Sequence, residues 1–303
     1  MPIEQLSSEF SRIVAVDQNI EELGRGYGGE IGPAEGPVWL CDDQCLLFSD
    51  IHNNRRMKWK PEEGVTIFKE GTNYANGLTI DQKSRLIACE HGTRRVTRQD
   101  SDGEITVVAS RYRGSRLNRP NDVIVKSDGT LYFTDPGAPS PDLDLDFSGV
   151  YCVSPDLGTI TLLVRDFVTP NGLAFSPDES TLYINDTRRQ HIRAFNIQTD
   201  GLLALASDRV LCDLSGDKPG VPDGMKVDVE GNLYCGGSGG IWLLSQEGEH
   251  LGTIDHGESS TTNVAFGGDD RKSLFFTTWN TVGRIEVSVP GLPVPSQKWK
   301  SSR

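Results

Sequence analysis

Six residues, Glu35, Asn76, Asn121, Asn171, Asp223 and Asn263, each open a copy of one phrase in a chain of 303 residues. The opening residue leads into a short apolar run, and 10 or 11 residues after it a second run begins with Leu, as in NDVIV followed by LYFTD from Leu131. Two carboxylates and four amides brought to one point would present only oxygen donors, with no sulfur or imidazole among them. Hard oxygen donors suit Ca²⁺, Mg²⁺ or Mn²⁺, and two carboxylates match the charge of one divalent ion. Asn-Gly and Asp-Gly are also common turn pairs, so a single copy could be no more than a hairpin turn. Glu35 is a poor turn residue, and its presence at the equivalent place favours a shared site.

Such residues can converge only if the elements carrying them are arranged about an axis. The phrases start 41, 45, 50, 52 and 40 residues apart. Between the paired runs stand turn formers such as Ser127-Asp128-Gly129 and Ser176-Pro177-Asp178, and further alternating segments follow, as at Gly149-Val150-Tyr151-Cys152-Val153. Units of about 40–50 residues with four short strands have the length of propeller blades. The expected fold is therefore all-β, a six-bladed β-propeller of four-stranded antiparallel blades forming one domain over residues 1–303. The innermost strand of each blade borders the central channel, which turns the six opening residues toward one axis. A β-sandwich would leave the six-fold phrase unexplained. A strand at about 11–16 is expected to complete the last blade and close the ring, and 136–148 reads as an inserted loop.

Composition excludes other jobs. There are 43 Asp and Glu against 30 Lys and Arg, a net charge of −13 that repels nucleic-acid backbones and anionic lipid surfaces. No run of about 18 apolar residues occurs, so no membrane span is expected. The first ten residues lack the basic start and apolar run of a signal peptide, and six scattered cysteines without paired CxxC units read as reduced thiols, which together point to the cytoplasm. HExxH and Walker-type motifs are missing from the sequence, and Gly236-Gly237-Ser238-Gly239-Gly240, although it spells GxSxG, lies between strands and reads as a tight turn rather than a nucleophile elbow.

The segments AEGPVW at 34–39, RPNDV at 119–123, TPNGLAFSPD at 169–178 and PDGMKVD at 222–228 resemble the gluconolactonase/regucalcin (senescence marker protein) family, itself similar to diisopropyl fluorophosphatase. The four motifs occur in order and span nearly the whole chain. The resemblance implies a six-bladed propeller with one divalent cation in its channel, Ca²⁺ foremost, with Zn²⁺, Mn²⁺ or Mg²⁺ as alternatives. It implies Glu35, Asn171 and Asp223 as direct ligands, and Asn121 as a fourth ligand or a contact to water and substrate. Asn76 and Asn263 match the repeat but not the family's ligand set, which makes them channel lining that meets substrate.

The reaction expected at such a site is hydrolysis of a sugar lactone by a cation-activated water. Asp223 is the candidate general base. His91, just after the second strand of its blade, is a candidate proton carrier or substrate partner, and Asp122 could orient a ligand. Arg94, Arg95 and Arg98 read first as ion pairs on strand faces, and second as an attraction for an acidic product. Of the aromatic residues, Phe147 in the insertion is the one expected to touch substrate, while Trp39, Trp242, Trp279 and Tyr74 are expected mainly to pack between blades. Other lactones or organophosphates are alternative substrates, and a non-catalytic metal-binding propeller is the alternative class. Neither nucleic acid nor membrane is an expected partner, and the assembly is expected to be a monomer or a dimer.

Overall fold

The computed structural model describes residues 3–29, 32–137 and 139–294. Six antiparallel sheets follow one another around a ring, and their inner strands are Ala34–Leu40, Ala75–Ile80, Val123–Val125, Pro170–Phe175, Met225–Val227 and Thr261–Gly267. Within the first five blades the chain runs from the inner to the fourth strand by consecutive antiparallel pairing, the connectivity that short turns enforce. Inner and second strands are covered by the adjacent blades on both sides, so Cys45–Asp50 and Leu131–Asp135 are buried at every position. Outer strands such as Gly64–Glu70 are largely exposed.

Six hydrophobic clusters fill the gaps between neighbouring blades among the described residues. The gap between the last and first blades holds Trp39 stacked on Phe275, with ring centroids 5.3 Å apart. That gap is packed like the other five, and each fully buried large side chain contributes roughly 1.5–3 kcal/mol.

Closure differs from the sequence expectation. Residues 11–16 form no strand; Ser8–Ile13 is an α-helix, begun by Ser7, whose Oγ accepts from the Glu9 N–H, and it buries Phe10 and Ile13 three residues apart on one face. The strand that completes the sixth blade is Glu21–Arg25, paired with Thr281–Glu286. A further strand, Ile3–Gln5, adds a fifth member to the fifth blade.

The Asn-Gly pairs are not turns. Asn76-Gly77 and Asn171-Gly172 lie inside inner strands, where a side chain at the glycine has no room. A Cβ on Gly172 would run into the carbonyl oxygen of Asp223, and one on Gly36, which also has φ of +53°, into that of Asn76. Glycine here lets neighbouring blades approach at the axis. Gly172→Ala is therefore expected to cost about 1–3 kcal/mol and lower the melting temperature by several degrees, while Gly158→Ala on an exposed turn changes it little. Calorimetry of the two variants checks this.

Candidate active site

The first residue of the phrase is aimed by a defect in its strand in most blades, though not in those of Asn121 and Asp223. In four blades the pairing of first and second strands slips beside that residue, between Glu35 and Val38, Ala75 and Leu78, Pro170 and Leu173, and Thr261 and Asn263. A bulge re-aims the side chains next to it. The backbone is then pinned from the preceding blade: the Ser49 hydroxyl donates to the Asn76 carbonyl at 2.6 Å, the Thr134 hydroxyl to that of Asn171 at 2.8 Å, and the Asn185 amide to that of Asp223.

A second set of pins escaped the sequence reading. In blades one to four the second strand ends in an acid, as LLFSD, LIACE, LYFTD and LYIND. Each acid turns back to hold the loop that leads into its own blade's inner strand. Asp50 accepts from the Gly28 N–H at 2.6 Å, Asp135 from that of Asn118 at 2.8 Å, Asp186 from that of Val168 at 2.7 Å, and Glu90 from the Asn73 side chain at 3.1 Å. The recurrent acid was the available signal.

On the axis, the Asn76 amide donates to Asn121 Oδ1 and the Asn121 amide to Asn171 Oδ1, both at 2.6 Å. Each accepting oxygen keeps a second lone pair. Glu35 Oε2 accepts from the Gly36 N–H at 2.7 Å and the Asn263 amide at 3.1 Å. Asp223 Oδ1, Asp122 Oδ2 and Asn76 Oδ1 are buried without a hydrogen-bond partner. Burial raises the Glu35 carboxyl to about 8, helped by the negative charge of Asp122. Burial, then Glu35 and Asp122, push Asp223 well above the carboxylate range, and burial raises Asp122 too. Lys226, whose Nζ lies 3.1 Å from the Met225 carbonyl and 3.5 Å from Asn263 Oδ1, lowers both Glu35 and Asp122 electrostatically.

All six opening residues thus meet, joined by Asp122 and Lys226. His91 meets them as well, with Nε2 3.4 Å from the Asn76 amide nitrogen. Burial and the charges of Arg119 and His52 lower its pKa to about 4, so at neutral pH the ring is uncharged and accepts the Asn76 N–H. Phe147 goes elsewhere: its ring packs on the cluster between blades two and three with the Arg165 guanidinium 5.7 Å above it. Arg94 and Arg95 are tied to Asp144 at 3.1 Å and Glu90 at 2.8 Å, as ion pairs. Trp39 and Trp242 are buried as expected, but Tyr74 is 45% and Trp279 48% exposed.

The donors present fit a divalent cation. Acceptor oxygens converge, three buried carboxylates face one ammonium, and fully ionised they leave the axis two charges negative. No group of three or more His, Cys, Asp and Glu side chains among the described residues is arranged to hold a metal, so amide oxygens have to complete any coordination shell. A cavity of about 540 Å³ lies toward the opposite end of the inner strands, lined by apolar side chains such as Val38, Leu78, Phe175 and Phe266 together with Lys226. The six opening residues of the phrases are not among its lining. All six cysteines are free, and no helix among the described residues is long and apolar enough to cross a membrane.

Residues 33–280 match the model of the SMP-30/Gluconolactonase/LRE-like region. The chain is 30% identical to a gluconolactonase of Zymomonas mobilis over 95% of its own length and 87% of the relative's, and 29% identical to a pentonolactonase of Haloferax volcanii over 80% of each. A solved gluconolactonase from Xanthomonas campestris superposes with a TM-score of 0.83 at 32% identity, covering 95% of both chains.

The raised carboxyls make a pH prediction. Glu35 rises from 4.5 to about 8 on folding, so in the ion-free protein its contribution to stability is intact below about pH 4.5 and is lost as pH climbs through 8. A divalent cation relieves that loss. With a chelator present, the melting temperature is expected to fall between pH 5 and 8.5, and added Ca²⁺ to raise it by several degrees at pH 8.5 and by less at pH 5. Differential scanning fluorimetry would count against the site if the ion-induced gain were the same at both pH values.

Proposed function

The chain belongs to the SMP-30/Gluconolactonase/LRE-like family, and on that basis we propose that it is a lactonase that opens sugar lactones to their hydroxy acids at the polar end of the propeller channel. The observation that carries this reading is the meeting of Glu35, Asn121, Asn171 and Asp223 on the axis, with Asp223 Oδ1 buried and unpartnered. These four side chains would hold the ion, for which their oxygen chemistry favours Ca²⁺. A divalent cation bound there supplies polarisation of the lactone carbonyl and a lower pKa for water.

The chain's own groups divide the remaining work. Glu35 already accepts two hydrogen bonds through Oε2, so it is a fixed anchor for charge. Asp223 keeps an oxygen without a hydrogen-bond partner, so in its ionised form it is placed to take the proton from the attacking water. As the water oxygen bonds to the carbonyl carbon and the ring C–O bond breaks, that proton passes to the departing ring oxygen, and a carboxylic acid and a hydroxyl result. Asn76, Asn121 and Asn263 line the pocket with amides for substrate hydroxyls, and neutral His91 offers a further hydrogen-bonding nitrogen beside Asn76.

A pH-stat assay with D-glucono-1,5-lactone, pentonolactones and γ-butyrolactone tests the proposal. Acid release well above the spontaneous rate is expected, abolished by chelation and restored by Ca²⁺. Asp223→Asn is expected to lower kcat at least about 100-fold. Rates equal to the spontaneous ones with every lactone and cation would sink the reading.

A further inference from the structure

Among the exposed apolar side chains, Ile67, Phe68, Ile105, Val107, Leu205 and Val210 sit on outermost strands, where a blade simply ends. Tyr74 does not. It lies at the rim of the polar end of the channel, two residues ahead of Asn76 on the inner strand.

Its backbone is unusual. Asn73 and Tyr74 have φ of +57° and +55°, the one pair of successive non-glycine residues in the left-handed region among the described residues. Asparagine tolerates that region, whereas an aromatic residue is strained there. The strain is held from several sides. The Tyr74 N–H donates to Asn54 Oδ1 at 2.9 Å, its carbonyl accepts from the His91 N–H at 3.2 Å, and the carbonyl of Asn73 accepts from the Gly92 N–H at 2.9 Å. The ring lies over Gly92, where an added Cβ would come within 2.9 Å of Cδ2. Gly92 follows His91, whose ring touches Asn76, and Asn76 in turn touches Asn121. A conformation this constrained fixes one face of an aromatic ring beside the site and leaves that ring 45% open. Burial does not explain it, since the ring stacks on no other aromatic among the described residues.

Resting on the lactonase reading above, we propose that Tyr74 is the platform on which the substrate ring stacks, and that it selects cyclic polyol lactones. A pyranose-type lactone carries its hydroxyls at the edge and its C–H bonds on the faces. One face would cover Tyr74 while the edge hydroxyls reach the amides and His91, with the carbonyl at the axis. Strain at a site of recognition has a physical purpose, because it holds a contact that a relaxed residue would not present.

The experiment compares wild type, Tyr74→Ala, Tyr74→Phe and Tyr74→Gly. With D-glucono-1,5-lactone, Tyr74→Ala is expected to raise KM at least fivefold with kcat within twofold. KM for γ-butyrolactone, too small to reach the rim, should move less than twofold, and Tyr74→Phe should behave as wild type. Tyr74→Gly relieves the backbone, so its melting temperature should equal or exceed wild type while its KM rises as in the alanine variant. Unchanged KM values, or equal changes for both lactones, would overturn the proposal. If the wild type hydrolyses no lactone, the lactonase reading fails on its own, and stacking is read instead from saturation-transfer NMR with 1,5-anhydro-D-glucitol. Signals in wild type that are lost in Tyr74→Ala support the platform; equal signals in both, or none in either, overturn it.

Discussion

Taking a carboxylate out of water costs several kcal/mol per ion even after a real protein relaxes around it, and the axis of this propeller gathers Glu35, Asp122 and Asp223. Much else in the molecule follows from that burden. Lys226 supplies an ammonium whose charge lowers both Glu35 and Asp122. Donated N–H groups from Gly36, Val123 and Asn263 offset more of the charge. What is left over is negative charge that favours the protonated forms of the carboxyls. The six interblade clusters hold the ring shut against the mutual repulsion of its centre.

A site built from repulsive groups has to be held in place by more than its own contacts. Asn76 and Asn171 are each held from two directions, by a hydroxyl of the preceding blade on their own carbonyl and by the strand-end acid of their own blade on the loop leading in. The hydroxyls act on backbone carbonyls, which leaves the Asn76 and Asn171 side chains free to face the axis. Preorganised donors and acceptors lose little to reorganisation when a charge develops among them. The rim shows the same economy, since the loop carrying Tyr74 is fixed by Asn54, Glu90 and His91 before any ligand arrives.

The repeat made the architecture legible because each blade needs the same alternation of buried strands and tight turns, and the six opening residues all stand where the phrase places them. What escaped the sequence depends on contacts between distant segments. The charge balance assigned to Glu35 and Asp223 alone is reached by three carboxylates and Lys226, because Lys226 sits on the axis only once the fifth inner strand is seated. Asn-Gly looked like turn chemistry, yet the glycines answer to the carbonyl of the next blade. Phe147 was chosen for its place in the insertion, but an apolar gap nearby took its ring. The closing strand was misplaced because Phe10 and Ile13 are as compatible with a helix face as with a strand.

Blade six is woven from both ends of the chain, with Glu21–Arg25 beside Thr281–Glu286. Glu35, near the start, takes a hydrogen bond from Asn263, near the finish. On the ribosome, then, the first blade must wait with an uncovered flank until almost the whole polypeptide has emerged. Half a ring gathers some of the acids without the enclosure that takes them out of water. The polar centre would therefore be the last part of the molecule to be enclosed, set only on a completed chain.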